Sequence, residues 1–421
     1  MLQKVISIFK IKDIRNKVLY ILGILAVFRL MASIPIPGVD IERVHKLFSS
    51  NSYLGLLNIF SGGAMRNFSL VMLGVGPYIT AIIIMQLLTL IYPPLKEMYY
   101  EEGEAGRQKF NQYARIFTAP LAAIQGFGFL NFLRARGIYL ASSPWILLQD
   151  VVLITAGSML LMWLGELISE KSLGDGVSLI IFAGIVAGWP QSLWNSINLY
   201  TPDKLPAYIV FAIMAIVVVV GIVIINEAER RVPVVYAKRV RGMKMYGGFS
   251  SYLPIRVNQA GVIPIIFALS VVLFPQFLGQ VFLSFGGNIF HSIGNALIGF
   301  YNNYWLYGIS YFLLVFLFTY FYTMVTFDPK EISQNLQRNG GFIPGIRPGE
   351  QTANFLKRII YRTTFVGALF LGVVAVLPLI SRSLTGVNTL SIGGTGILIV
   401  VAVALDIVSQ IKAQLAVREY E

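Results

Sequence analysis

The chain has no cysteine and only two histidines, His45 and His291. Without thiols there is no disulfide, no thiolate zinc site and no sulfur nucleophile. Two histidines in separate loop-like segments cannot build an imidazole metal cluster. Charge is scarce too. Asp, Glu, Lys and Arg supply 13% of the 421 residues, about half the share of a soluble globular chain. A phosphate-binding glycine loop, a nucleophile motif and a catalytic carboxylate pair are all missing, which argues against an enzyme and implies no cofactor and no metal. What the chain has is apolar surface: hydrophobic residues make up 56% of it. The expected class is an all-α integral membrane protein, since helices satisfy their own backbone in lipid.

Apolar runs near the roughly 20 residues that cross a bilayer occur at 18–36, 70–92, 116–136, 145–169, 177–196, 206–225, 259–283, 304–326, 359–380 and 393–413. With the N-terminus inside, alternate connections carry 25 of the 33 basic residues and the opposite ones carry seven. That asymmetry supports ten transmembrane helices with both termini cytoplasmic. The basic, amphipathic stretch 1–17 is expected to lie in the interface. Arg29 interrupts the first apolar run, which speaks against a cleaved signal peptide. Spans one to five and six to ten match in number and length, so two pseudo-symmetric five-helix halves, an inverted repeat, are a hypothesis. The implied division is 18–196 for the first half, 197–258 for span six and its loop, 259–413 for the rest and 414–421 for a tail.

One stretch fits none of these elements. Ile59-Phe60-Ser61-Gly62-Gly63-Ala64-Met65-Arg66 is short, glycine-broken and charged, and runs directly into span two. Lipid tolerates such backbone only where protein or a water-filled cavity shelters it, so the fold should contain a cavity at this point. Two connections are longer than topology requires, 226–258 and 327–358. The first holds a β-prone Val232–Tyr236 stretch followed by a basic tip, Lys238, Arg239 and Arg241, which suggests a projecting hairpin. The second holds a Pro- and Gly-restricted run that positions Arg347. Anchoring at anionic lipid and binding of a partner are both open for them. The loop 93–115 reads as a short solvated turn.

Ionisable groups inside the spans are few: Arg29, expected to snorkel outward, and Glu166 and Asp406 near span ends. No charge relay links them, which disfavours an ion-driven transporter. The interior polar residues Thr80, Gln86, Gln125 and Ser270 are uncharged. They suit either ordinary helix–helix hydrogen bonding or a seam that must sometimes part. Val75 with Ile79, and Ile181 with Ile185, are spaced to share a helix face. Stiff β-branched side chains there could form a constriction or simply pack.

Several segments together resemble the SecY family, the central channel subunits of the Sec protein-conducting translocon. They are Phe28-Arg29 with IPIPG (34–38), NIFSGGA (58–64), PYITAIIIMQLLT (77–89), GEAGRQK (103–109), MWLGELI (162–168), IIFAGIVAG (180–188), ERRVPVVYAKR (229–239), RVNQAGVIPIIFA (256–268), FIPGIRPGEQT (342–352) and GGTGILIVVAVALD (393–406). They run in the family's order along nearly the whole chain, in wording similar to the bacterial type. The resemblance implies a central hourglass pore in the cytoplasmic membrane, through which unfolded secretory polypeptides cross and from which membrane segments leave sideways. It implies a plug at 53–69, and a pore ring of Val75, Ile79, Ile181, Ile185, Ile266 and Ile399 with Ile263 close by. Val75 replaces a more usual isoleucine but keeps the β-branch. A lateral gate between spans two and three and spans seven and eight would bring in Thr80, Gln86, Gln125 and Ser270. Implied partners are the small SecE and SecG subunits, the SecA motor ATPase, the ribosome, signal-peptide-bearing substrates and membrane lipid. Arg347 is the leading docking residue, with Lys238, Arg239 and Arg241 secondary.

Overall fold

The computed structural model describes residues 11–50, 58, 61–100, 102–139, 143–171, 174–198, 202, 205–236, 239–241, 244–246, 250–284, 288–385 and 394–419. Ten helices fall on the ten apolar runs: α1 (Lys12–Met31), α3 (Gly76–Ile91), α5 (Gly103–Ala135), α6 (Pro144–Ser169), α7 (Gly176–Asn198), α8 (Leu205–Glu227), α9 (Ile263–Ser284), α11 (Tyr304–Thr326), α13 (Glu350–Thr385) and α14 (Gly394–Glu419). Four more helices lie between them: α2 (Ile41–Ser50), α4 (Pro93–Tyr100), α10 (Asn288–Asn302) and α12 (Pro329–Arg338). Six of the described helices are individually long and apolar enough to cross a membrane, while α7 and α9 contribute shorter apolar stretches. α8 is apolar all round, and few of its residues are buried, as suits a helix with one side on lipid.

The helices close a circuit. α3 packs on α9, α9 on α11 and α13, α13 on α14, α14 on α7, α7 on α6, and α6 back on α3. α5 packs on α3, α6 and α9, and α1 lies across α6 and α7. One large hydrophobic cluster fills the middle and draws side chains from all of these elements.

Several expected boundaries move. Span two does not start at residue 70: 61–75 is a series of turns, and α3 begins only at Gly76, with Pro77 in its first turn. Gly74 in the left-handed region (φ 60°) and the proline's fixed φ together set that start. The connection 93–115 is not a solvated turn. It forms α4 and then the first turns of α5, which runs 33 residues. Residues 12–17 continue directly into span one as α1 instead of forming a separate interfacial helix; the rest of 1–17 lies outside the described residues.

The two long connections form one module. β1 (Glu229–Tyr236) pairs antiparallel with β4 (Ser250–Arg256), with Val232 opposite Leu253. β5 (Gly341–Phe342), from the second loop, adds to the other edge of β1. β2 (Arg239–Arg241) and β3 (Lys244–Tyr246) pair at the tip. Alternate β1 residues Val232 and Val234 point inward and meet Ile255, Ile343, Leu356 and Ile360 in a small separate core, the period-two burial of a half-exposed strand.

Candidate functional site

The glycine-broken stretch is sheltered, as its backbone requires. Gly62 and Gly63 adopt φ of 67° and 83°, a left-handed conformation open to glycine at little cost. Ser61 Oγ caps the turn by accepting from Met65 N–H and donating to the Asn58 carbonyl, each at 3.0 Å. Ala64 and Met65 are buried in the central cluster. The close fit is specific. A Cβ on Gly184 would fall 2.3 Å from Gly62 Cα, and one on Gly62 would fall 2.8 Å from the Phe28 ring. Arg29 Nη1 donates to the Gly62 carbonyl at 2.6 Å, so Arg29 holds this turn instead of snorkelling. Further along, Arg66 N–H donates to Asn58 Oδ1 at 2.8 Å, and Arg66 Nε donates to His45 Nδ1 on α2 at 3.1 Å. Burial first, and the neighbouring Arg66 cation second, push the His45 imidazole below its ordinary pKa. Ile59 and Phe60, and most of 53–60, lie outside the described residues.

The seven apolar candidates come from four elements. Val75 caps α3 and Ile79 follows one turn later; Ile181 and Ile185 sit on α7, Ile263 and Ile266 on α9, and Ile399 on α14. All but Ile263 are buried, and Ile263 packs partly buried against the same cluster. Gly184, which touches Gly62, stands one residue before Ile185. Backbone contact with the turn and the apolar side chains of α7 therefore lie at one level of one helix.

The polar candidates behave differently from one another. Thr80 and Ser270 do not bond across a seam. Each hydroxyl donates to a carbonyl of its own helix four residues back, Gly76 and Ile266, at 3.0 Å, a common way for a helical Ser or Thr to satisfy itself. Gln86 and Gln125 are buried, and the Gln86 side-chain carbonyl has no hydrogen-bond partner. The helices that carry these residues, α3, α5 and α9, are in mutual contact. The ionisable Glu166 pairs with Arg115 between α6 and α5.

On the loop face, Arg347 is exposed, yet its backbone is clamped. Its carbonyl accepts from Thr352 Oγ1 at 2.9 Å, and the neighbouring Gly349 carbonyl accepts from Ser333 Oγ at 2.6 Å. Gly345 and Gly349 take φ of 80° and 98°. Arg239 and Arg241 lie in β2, opposite Tyr246 and Lys244; Lys238 is outside the described residues. Sequence reasoning missed His45, Gly184 and the role of Arg29. Nothing in composition or spacing singles them out, because each acts through a contact distant along the chain.

A family model described as SecY matches residues 69–408. SecY protein translocase subunits of Thermus thermophilus and Thermotoga maritima are 43% and 42% identical to this chain. Those alignments cover 100% and 98% of it, and 97% and 95% of the relatives. Among solved structures, one described as a protein conducting channel superposes with a TM-score of 0.64 at 22% identity, covering 94% of this chain and 91% of that one. A SecY structure, described as showing that its plug domain stabilises the closed state, gives 0.64 at 21% with the same coverage. Sec61 in a canine ribosome–channel complex from the endoplasmic reticulum gives 0.60 at 20%, again with the same coverage. These structures share the helical channel fold, and the relatives carry the function. The chain belongs to the SecY family, and it is a multi-pass membrane protein that serves as the protein-conducting channel of a translocase.

Proposed function

We propose that the turn around Gly62 is the stopper of the conduit, that Val75, Ile79, Ile181, Ile185, Ile266 and Ile399, with Ile263, form the ring it closes, and that α3 and α5 part from α9 and α11 to release apolar segments into lipid. The observation that carries this reading is the seating of Gly62 on Gly184, with Arg29 on its carbonyl, beside Ile181 and Ile185. A ring of stiff apolar side chains closes around a moving chain without offering it a polar foothold, and it resists ions by dewetting. The likeness to a SecY whose plug is described as stabilising its closed state supports the assignment.

The joined loop module, with Arg347 held at its surface and Arg239 and Arg241 at the hairpin tip, is the docking face for the SecA motor and the ribosome. Sec61 and yeast Ssh1 complexes of the same fold are described on ribosomes, which supports the second partner. SecE and SecG are the companion subunits. The chain works in the bacterial cytoplasmic membrane with both termini inside, a reading supported by the charge asymmetry of its loops. Single cysteines at Ile79 and Ile185 test the ring. Each is expected to crosslink to a secretory polypeptide stalled in transit, and crosslinks to lipid alone would sink the assignment.

A further inference from the structure

Asp150, in the second turn of α6, belongs to none of the features above. It is 4% exposed and is the only buried carboxylate among the described residues. A carboxylate inside a membrane span is costly, needs a partner and marks a functional position by default. Its partner is Tyr139, in the turn that joins α5 to α6. The phenolic hydroxyl donates to Asp150 Oδ2, and both side chains are buried.

From Tyr139 a run of backbone contacts leads to the glycine turn. Val39 bridges Tyr139, and Asp40 N–H donates to the Ile138 carbonyl at 3.3 Å. Arg43, on α2, donates from Nη1 to the Gly137 carbonyl at 3.2 Å. The same segment pairs at its other end: Ile36 N–H donates to the Phe68 carbonyl at 2.9 Å, and Leu70 N–H donates to the Ile34 carbonyl at 3.1 Å. These two bonds flank Pro35 and Ser69, which oppose each other as an antiparallel bridge. α6 also touches this pairing directly, since a Cβ on Gly157 would fall 2.8 Å from the Leu70 carbonyl carbon. Gly157 and Asp150 are seven residues apart, on one face of the helix.

Phe68 has φ of 48°, the only positive φ outside glycine among the described residues. It is fully buried, and its ring stacks on Phe129 of α5 at 6.3 Å. Such a conformation persists only where its surroundings impose it. Residues 68–70 are therefore gripped through their main chain, whereas 61–66 rests on glycine contact at Gly184 and on the Arg29 and His45 side chains.

We propose that residues 68–70 are the fixed pivot of the stopper, and that Asp150, through Tyr139, is the positioning residue that holds this pivot to α6. The inference rests on the stopper reading. When 61–66 leaves Gly184, the pairing of 34–36 with 68–70 stays formed and returns the turn to the same seat.

The test uses the whole translocon with cysteine-free partner subunits and motor, reconstituted in lipid. Tyr139→Phe removes the donor and Asp150→Leu the acceptor. Each is expected to raise resting ion conductance about ten-fold, the scale of one hydrogen bond to a charged group. The double variant should go no further, because the two residues act as one unit. Asp150→Asn keeps an acceptor oxygen and should restore closure. Tight single variants, additive effects, or an Asp150→Asn channel as leaky as Asp150→Leu would each overturn the proposal. A second measurement does not depend on those variants folding. Pro35 and Ser69 form the closer, non-hydrogen-bonded kind of antiparallel pair, within reach of a disulfide, and the chain has no native cysteine. Pro35→Cys/Ser69→Cys channels oxidised with diamide should move a secretory passenger as fast as the same channels reduced, because a fixed pivot never parts. Transport that stops on oxidation and resumes on reduction overturns the proposal. Gly184→Ala separates the two readings. Unchanged conductance there removes the stopper itself, whereas a rise there beside tight Tyr139→Phe and Asp150→Leu channels removes only the pivot.

Discussion

Gly62 and Gly184 meet backbone to backbone: a single methyl on Gly184 would lie 2.3 Å from the Gly62 Cα. No side-chain rotation relieves that clash, because both partners are main chain. Gly184→Ala should therefore unseat the turn, at about 2 kcal/mol for overpacking, which moves a seated-to-unseated ratio by roughly thirty-fold. The measurement is resting ion conductance of channels in planar bilayers, expected to rise by that order. Unchanged conductance with a folded protein would show that the turn does not seal the conduit.

Gln86 makes a prediction in the opposite direction. Its carbonyl is buried and unpartnered on α3, where α3 packs on α5 and α9. Leaving such a group unsatisfied costs about 1–3 kcal/mol. Gln86→Met keeps the length and removes the polar atom, so it should stabilise the closed packing by that amount. Thermal unfolding should shift upward, and lateral insertion of a signal-anchor passenger should slow. Faster insertion would place Gln86 away from the parting surface.

The hydrogen bond from Arg66 to His45 requires a neutral imidazole. Burial and the Arg66 charge lower the His45 pKa in the folded state, so the folded chain resists protonation more than the unfolded chain does. The contact is therefore at full strength above the ordinary histidine pKa of about 6.5, and it weakens as pH falls through the lower folded value. Conductance of the resting channel should rise on acidifying the α2 side from about pH 6.5 to about pH 5. His45→Asn, which keeps an acceptor that does not titrate, should flatten that profile. An equally steep profile in the variant would assign the titration to another group.

Arg347 is exposed while its backbone is hydrogen-bonded to Thr352. Reversing its charge should leave the fold intact, since surface substitutions of this kind cost within about 0.5 kcal/mol. Arg347→Glu should show an unchanged melting temperature and lose most motor-driven transport in reconstituted vesicles. Full transport by the variant would remove Arg347 from the docking face.

Much of this protein is legible along the chain. Helices α1, α3, α5–α9, α11, α13 and α14 are written in hydropathy, because a bilayer demands a long apolar run whatever its neighbours do. The shelter needed by Ser61–Arg66 also follows from sequence, since unpaired backbone cannot face lipid. The β1 hairpin and the clamped Arg347 follow from strand-forming residues and from glycine and proline. The family's identity is carried by motifs spread over the chain's full length.

Other features are decided only when distant residues meet. The turn ahead of span two is seated by contacts of Gly62 to Phe28, Arg29 and Gly184, none of which is marked as a partner along the chain. Thr80 and Ser270 look like seam contacts, yet they satisfy themselves within their own helices, a choice that composition does not reveal. β5 joins the two long loops because its backbone finds the open edge of β1, and hydrogen bonds between strands carry no sequence code of their own. The amino-acid sequence alone determines that the chain spans a membrane and that its glycine turn must lie inside protein. The tertiary structure alone decides what that turn rests on, because a glycine's role as a contact surface exists only once a second backbone comes within reach.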